Sequence, residues 1–300
     1  MPPRSWRGGK AWSSDVRIAV AGSEGQLGAA VVDECVRAGH EVIAFTHSTL
    51  DVTNDGQVRT VIARAEPDAI VNCAAYNDVD GAEDHAVEAL LVNTFAVRAL
   101  ARAAAASGAA LVHFSTDFVF DGTASRPYTE ADPPNPRGTY AASKLLGEWF
   151  AAEAPRAYVL RVESLFGSVS SGRPAKGSVA TILKTIQSGA EARVFEDRTI
   201  SPTYVFDAAV ATRTLVERSA APGVYHCVNS GSCTWLQLAQ ELAKRLGVEP
   251  KLVPVRMADA KLRVERPLYC VLSNAKLASV GIVMPEWMDA VSRYVAALPV

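Results

Sequence analysis

The chain has 300 residues, 49% of them hydrophobic, enough for one large domain or two unequal ones sharing a cleft. Its 30 lysines and arginines nearly balance 32 aspartates and glutamates, which excludes the basic footprint that dominates nucleic-acid affinity. The five cysteines form no C-x-x-C pair, and reduced core thiols suited to a reducing cytoplasm are the expectation. Residues 1–15 contain Arg4, Trp6, Arg7, Lys10 and Trp12 but no apolar run. They fit neither a signal peptide nor a membrane span, and a disordered extension is expected. From there to residue 167, short β-rich runs alternate with longer helical ones. Strands are predicted over 17–21, 41–46, 69–73, 110–115 and 157–162, and helices over 26–38, 55–65, 86–107 and 139–152. This alternation implies right-handed βαβ crossovers and a parallel sheet covered on both faces. The expected fold class is therefore α/β, with a Rossmann-type doubly wound domain over 16–167 whose ligands bind beyond the carboxyl ends of the strands. After Gly167 the rhythm changes. Residues 168–177 are rich in glycine and serine with two basic residues and read as an exposed loop. Helices over 178–188, 207–218 and 234–246 and strands over 192–195 and 224–229 then predict a smaller C-terminal substrate-binding lobe over most of 168–300. The strand over 224–229 is expected to return to the large sheet.

The first strand runs into Gly22-Ser23-Glu24-Gly25-Gln26-Leu27-Gly28, a G-x-x-G-x-x-G turn opening a helix. Gly22 permits the tight exit, Gly25 lets backbone approach a pyrophosphate, and Gly28 lets the helix pack closely on the sheet. An ordinary turn fits the same glycines. An NAD site would place a carboxylate at the end of the next strand to hold the ribose 2′-hydroxyl, but the chain has Thr46, His47 and Ser48. This leans towards NADPH, with His47 either a phosphate contact or a solvated loop histidine. Asp51, Val52, Ala74, Ala75 and Tyr76 fall just beyond strands on the same edge, where small side chains at 74 and 75 suit a flat ligand as well as they suit simple packing. Ser115-Thr116-Asp117 ends the fourth predicted strand there too. Tyr140 and Lys144 are four residues apart and share a helix face. A phenol is a sluggish acid at neutral pH, and the Lys144 ammonium is expected to lower its pKa for hydride transfer to a carbonyl.

With these motifs the chain resembles the extended short-chain dehydrogenase/reductases, and within them the dTDP-4-dehydrorhamnose reductase family. The resemblance covers nearly everything after Arg17, through Gly22 to Gly28, Leu50 to Thr53, Val71 to Tyr76, Val79 to Glu83, Val92-Asn93, Ser115 to Gly122 and Tyr140 to Glu148. Later echoes are Ser201 to Val205, Gly223 to His226, Asn229 to Gly231, Arg266-Pro267 and Val271 to Asn274. It implies a ketoreductase acting on a nucleotide-activated deoxysugar with NADPH or NADH, in which Thr116, Tyr140 and Lys144 form the catalytic trio. Gly22, Gly25, Gln26, Leu27, Gly28, His47, Asp51, Val52, Ala74, Ala75, Tyr76, Tyr140 and Lys144 would meet the cofactor, the lysine through its ribose hydroxyls. Thr116, Asp117, Ser164, Pro202, Thr203 and Arg266 would face the sugar nucleotide. One segment departs from the family's pattern. Where members carry Arg-Thr-Ser-Trp, this chain reads Arg161-Val162-Glu163-Ser164, so Ser164 replaces an aromatic wall and Glu163 adds a charge.

A dehydratase of the same superfamily would need an Asp-Glu pair after the fourth strand, and here Asp117 is followed by Phe118. An epimerase of this superfamily, or a non-catalytic NAD(P)-binding regulatory subunit, are the alternatives, the second disfavoured by the intact trio. The histidines lack ligand spacing and no metal is expected. The acidic residues over 78–84 are expected to cap or solvate the start of a helix. No G-x-S-x-G elbow supports a hydrolase. No membrane partner is expected, and because some family members dimerise, a homodimer stays open.

Overall fold

In the computed structural model, residues 16–167 and 177–298 are described. The predicted extension at 1–15 and almost all of the loop over 168–177 lie outside them. Strands β1 (Arg17–Ala21), β3 (Ala69–Asn72), β4 (Ala110–Thr116) and β5 (Ala157–Val162) are almost wholly buried, which explains why they read as continuous apolar runs without alternation. With β2 (Glu41–Phe45) and the returning β10 (Gly223–His226) they form one six-stranded parallel sheet in the order β10-β5-β4-β3-β1-β2. The return of the C-terminal half to this sheet is as expected, over a shorter stretch than 224–229. The order reverses direction about β1, and a crevice opens there beyond the carboxyl ends of β1 and β3.

Helices α1 (Gln26–Arg37) and α7 (Val205–Arg218) cover one face of the sheet, while α2 (Asp55–Ala65), α4 (Ala96–Ser107) and α5 (Gly138–Ala151) cover the other. The single helix predicted over 86–107 is interrupted. A first piece, α3 (Ala86–Leu90), runs into a π-helical turn at Leu91–Phe95 before α4 begins. The cause is Asn93: its side chain accepts from Tyr76 N at 2.9 Å and donates to Tyr76 O at 3.0 Å and to Ser143 Oγ at 3.0 Å. A widened turn brings the amide to all three. By length and composition 86–107 would also be apolar enough to cross a membrane, but half of the segment is buried against the rest of the protein.

A second core lies at the C-terminal side. Strands β7 (Glu191–Phe195) and β12 (Lys251–Val255) pair in parallel, and α6 (Ser178–Gln187), α8 (Trp235–Leu246) and α10 (Trp287–Ala296) pack around them. Helix α8 begins with the reciprocal cap of Thr234 and Gln237 and stops at Gly247, whose φ of 69° is the left-handed conformation a helix end requires. Strand β12 and α10 have no counterpart in the sequence analysis. Short ladders, β6 (Leu165–Phe166) with β9 (Thr203–Tyr204) and β8 (Thr199–Ile200) with β11 (Cys233–Thr234), join this core to the end of β5.

Helix α5 is seated on the sheet by a buried ion pair. Glu148 accepts from Arg161 Nε at 2.9 Å and Nη2 at 2.7 Å, and from Ser115 Oγ at 2.6 Å, so that one carboxylate ties α5 to β4 and β5. Both partners are buried. Removing one leaves the other charged and uncompensated, which costs about 3–5 kcal/mol. Glu148→Ala should therefore lower the free energy of urea unfolding by that amount, and Arg102→Ala, whose pair with Glu153 is exposed and 3.8 Å long, should change it by less than about 1 kcal/mol.

Candidate active site

The glycine turn closes as the spacing predicts. Gly22 has φ 73°, and a Cβ there would stand 2.7 Å from Ala74 N, so the exit of β1 and the loop after β3 run against each other. A Cβ on Gly28 would lie 2.2 Å from Gly22 O. Gly25 is the N-cap of α1 and supplies no side-chain cap, and the first turn holds no acid, so the free N–H groups and the helix dipole are left for an anion. Gln26 and Leu27, both expected to meet cofactor, are used otherwise by their side chains. Gln26 Nε2 donates to Gly167 O at 2.7 Å, tying the turn to the end of β6, and Leu27 is buried in the core. His47 is exposed on the turn after β2. Asp51 accepts from Thr53 N at 2.9 Å and Thr53 Oγ1 at 2.7 Å, bonds that hold its carboxyl below the usual range, while Val52 points into the core. Ala74, Ala75 and Tyr76 are half-buried along the crevice, with Ala74 N donating to Asn72 Oδ1 at 3.1 Å.

The trio meets at the end of β4. Thr116 caps a short 3-10 helix at Asp117–Val119, where its Oγ1 accepts from Phe118 N at 3.2 Å and donates to Asp117 Oδ1 at 3.0 Å. Tyr140, near the start of α5, sets its ring edge-on to Phe118 at 5.8 Å. Lys144, one turn along, donates Nζ to Phe114 O at 2.6 Å. Here the expected electrostatics are corrected. Burial and the neighbouring Asp117 push the Tyr140 phenol above its ordinary pKa, opposed by a hydrogen bond with Thr116, whereas the Lys144 ammonium donates its hydrogen bond to the Phe114 carbonyl. Burial instead lowers Lys144 itself to about 8, opposed by Glu148 and Cys73.

The remaining predicted residues surround this point. Ser164 stands at φ 44°, a left-handed conformation unusual for a residue with a side chain, and its carbonyl accepts from Thr203 N at 3.5 Å. Thr203 Oγ1 accepts from Glu163 N at 3.3 Å, and Pro202 is buried beside it. Arg266 Nη2 reaches Asp80 Oδ2 at 2.8 Å while its guanidinium lies over the Phe118 ring at 5.8 Å. The acidic segment over 78–84 is therefore more than a capped and solvated helix start. Asp78 does cap the turn at Gly81, but Asp80 pairs with Arg266, Asp84 with Arg263, and Glu83 accepts from Thr139 N at 2.6 Å at the start of α5. The carboxyl that Glu163 adds is buried beside Asp117, and both effects raise its pKa well above the usual range. Three residues escape the sequence reading: Asn93, Arg198 and Phe118. The Phe118 ring lies under the guanidinium of Arg198 at 5.4 Å as well as that of Arg266. The Val92-Asn93 and Ser115 to Gly122 motifs carried a signal for Asn93 and Phe118, and nothing in the sequence pointed to Arg198.

A family model described as the RmlD substrate binding domain matches residues 16–299. The chain belongs to this family. A spore coat polysaccharide biosynthesis protein, SpsK, from Bacillus subtilis is 34% identical, across 93% of this chain and 96% of its own length. A dTDP-4-dehydrorhamnose reductase from Mycobacterium tuberculosis is 35% identical, across 94% of this chain and 93% of its own. Among solved structures, a dTDP-4-dehydrorhamnose reductase from Bacillus anthracis in complex with NADP superposes with a TM-score of 0.89 at 31% identity, covering 95% of this chain and 100% of that one. The resemblance to reductases of this family and the parallel Rossmann-like sheet are thus as expected.

A lysine whose pKa falls on folding destabilises the fold wherever it must carry a proton that the folded site disfavours. For Lys144 that penalty, about 3 kcal/mol, is fully present below pH 8 and disappears as the pH rises from about 8 towards the unfolded value of 10.5. Lys144→Met should accordingly raise the unfolding free energy at pH 7 more than at pH 10, as read by urea denaturation at the two pH values.

Proposed function

We propose that the chain is an NADPH-dependent reductase of a keto group on a nucleotide-activated deoxysugar. The observation that carries this reading is the convergence of Thr116, Tyr140 and Lys144 at the end of β4, on the sheet edge shared with the glycine turn. A dinucleotide fits that edge: the cradle between Gly22 and Gly28 has no room for a Cβ, and the N-terminus of α1 is uncapped by any side chain. NADPH supplies the hydride when bound. Gly22, Gly25 and the first amides of α1 would hold its pyrophosphate, His47 would face the 2′-phosphate, and Lys144 would bind the ribose hydroxyls. Thr116 and Tyr140 hold the ketone oxygen, and Tyr140 gives it a proton as negative charge develops. A high phenol pKa keeps that proton on the residue until the alkoxide, a stronger base, takes it.

The nucleotide is placed in a cavity of about 460 Å³ between α6, β7 and α8, lined by Arg193, Arg198, Phe195 and Trp235, where two guanidinium groups suit phosphate and two aromatic rings suit a base. Pro202, Thr203 and Arg266 would meet the sugar nucleotide as well. The five cysteines are free, in keeping with a cytoplasmic enzyme. A homodimer fits one apolar stripe: Val87, Leu91 and Phe95, four residues apart along the helix, are 70%, 40% and 49% exposed, and Trp149 on α5 is 63% exposed.

NADPH consumption with dTDP-4-keto-6-deoxysugars tests the activity. Tyr140→Phe should lower kcat by at least about a hundredfold with little change in NADPH affinity, and wild-type turnover by that variant would refute the assignment. His47→Glu should weaken NADPH relative to NADH in a fluorescence titration. Phe95→Glu should shift the mass measured by light scattering from dimer to monomer, and an unchanged mass would remove the stripe as the interface.

A further inference from the structure

Four chain segments bring an unusual group of side chains together one residue beyond the trio. Asp117 follows β4, Glu163 follows β5, Arg198 precedes β8, and Cys270 lies on the strand-like segment that meets Thr199. Ligating atoms of Asp117, Glu163 and Cys270 all lie within 4.8 Å of one another, and all three residues are buried. Each carboxyl keeps one partner and one unpaired oxygen. Asp117 Oδ1 accepts from Thr116, and Glu163 Oε2 accepts from Ser201 N at 2.7 Å, while Asp117 Oδ2 and Glu163 Oε1 are buried without a hydrogen bond. Two orphaned carboxyl oxygens buried in one such group are a costly arrangement unless a proton is held there.

The charges around the pair supply the count. Arg198 provides one positive charge next to both carboxyls; its Nη2 lies 3.6 Å from Cys270 Sγ and its Nε donates to Pro267 O at 3.1 Å. The other titratable groups facing the pair are Cys270, Cys233 and Tyr140, each of which burial holds in its neutral form. One guanidinium balances one carboxylate, so a second carboxylate would leave a buried net negative charge. Two carboxyls and a thiol would also suit a divalent cation, but a guanidinium already stands beside them, Arg198 Nη2 3.6 Å from Cys270 Sγ, and the Cys270 thiol donates to Pro267 O at 3.2 Å.

We propose that Asp117 and Glu163 hold a single proton between them and return it through Thr116 to Tyr140 after each hydride transfer. The transfer role rests on the ketoreductase reading above; the shared proton does not. Reduction of a ketone consumes a hydride and a proton, and Tyr140 is left as a phenolate. With the shared proton on Asp117 and the carboxyl turned so that its protonated oxygen meets Thr116, the Thr116 hydrogen bond reverses: the Asp117 O–H donates to Thr116 Oγ1 and the Thr116 O–H donates to the phenolate. One proton moving along each bond restores the phenol, leaves the Thr116 hydroxyl whole and leaves the pair with two carboxylates, which solvent reprotonates. Asp117 and Glu163 are thus positioning residues that act through Thr116.

Infrared titration of the full chain without substrate reads the shared proton directly, through the carbonyl stretch of a protonated carboxyl. That band should persist above pH 7 in the wild type and vanish in both Glu163→Gln and Asp117→Asn, because in either variant the remaining carboxyl ionises against Arg198. In turnover, Glu163→Gln should lose about tenfold in kcat with KM for NADPH unmoved, and added imidazole should restore part of the loss. Absence of the band in the wild type, its survival in Asp117→Asn, or a stoichiometric tightly bound metal ion would overturn the shared proton. An equal loss that imidazole does not touch would overturn the relay. A band that behaves as described, in a protein that reduces no keto-sugar, would overturn the ketoreductase reading and the relay with it while leaving the shared proton in place.

Discussion

The placing of the site depends on how α5 sits on the sheet. That helix carries both Tyr140 and Lys144, yet its first turn has no side-chain cap from its own N-cap residue. Its position is fixed from outside, by Glu148 against Arg161 and Ser115 at one end and by Glu83 against Thr139 at the other. The Arg161 guanidinium is further confined by the Phe120 ring 5.0 Å below it. Geometry this rigid is expensive in desolvation, and a core of apolar side chains would be cheaper. What the polar anchor provides is register: an ion pair with two hydrogen bonds tolerates no slide of the helix along the strand, whereas leucines would.

Around this anchor the polar groups are arranged in layers. Asn93, Ser143 and Tyr76 join the loop after β3 to α5, and Thr116, Asp117 and Glu163 join the ends of β4 and β5. Phe118 lies with both the Arg198 and Arg266 guanidinium groups over its ring and meets Tyr140 edge-on. The aromatic face helps to hold both cations, while Arg266 also pairs with Asp80 and Arg198 acts on the Asp117 and Glu163 carboxyls. The residue that removes the dehydratase reading thereby acquires a task of its own.

Much of this was legible in the order of residues. Buried parallel strands announce themselves as apolar runs, and all five predicted strand positions agree with the fold to within a residue at either end, with β1 and β5 agreeing at both. The glycine turn and the Tyr140-Lys144 spacing were legible because each rests on local geometry. The π-helical turn was not, because its cause is a bond from Asn93 to a backbone 17 residues earlier. Strand β12 includes Pro254 and belongs to a two-stranded ladder, where the usual strand signals are weak. The pairing of Glu163 with Asp117 and Arg198 joins residues from separate segments, and no periodicity encodes it. The same limit applies to Lys144. Spacing placed it beside the tyrosine, but the carbonyl that holds its ammonium belongs to another strand.

The π-helical turn at Leu91–Phe95 sets thermodynamic stability against fitness for catalysis. A chain one residue shorter here would regain a regular α-helix and its better hydrogen bonds. The flanking turns would keep their faces, because the widened turn is what takes up the extra residue, and the change would fall on the residues of the turn itself. Asn93 would leave the Tyr76 backbone, and the loop along the crevice would lose the amide that holds it. Selection for robustness alone would favour the shorter helix, so the extra residue can persist only under a demand from the crevice itself. The irregularity thus records, in the backbone, a history of selection for the site over the fold.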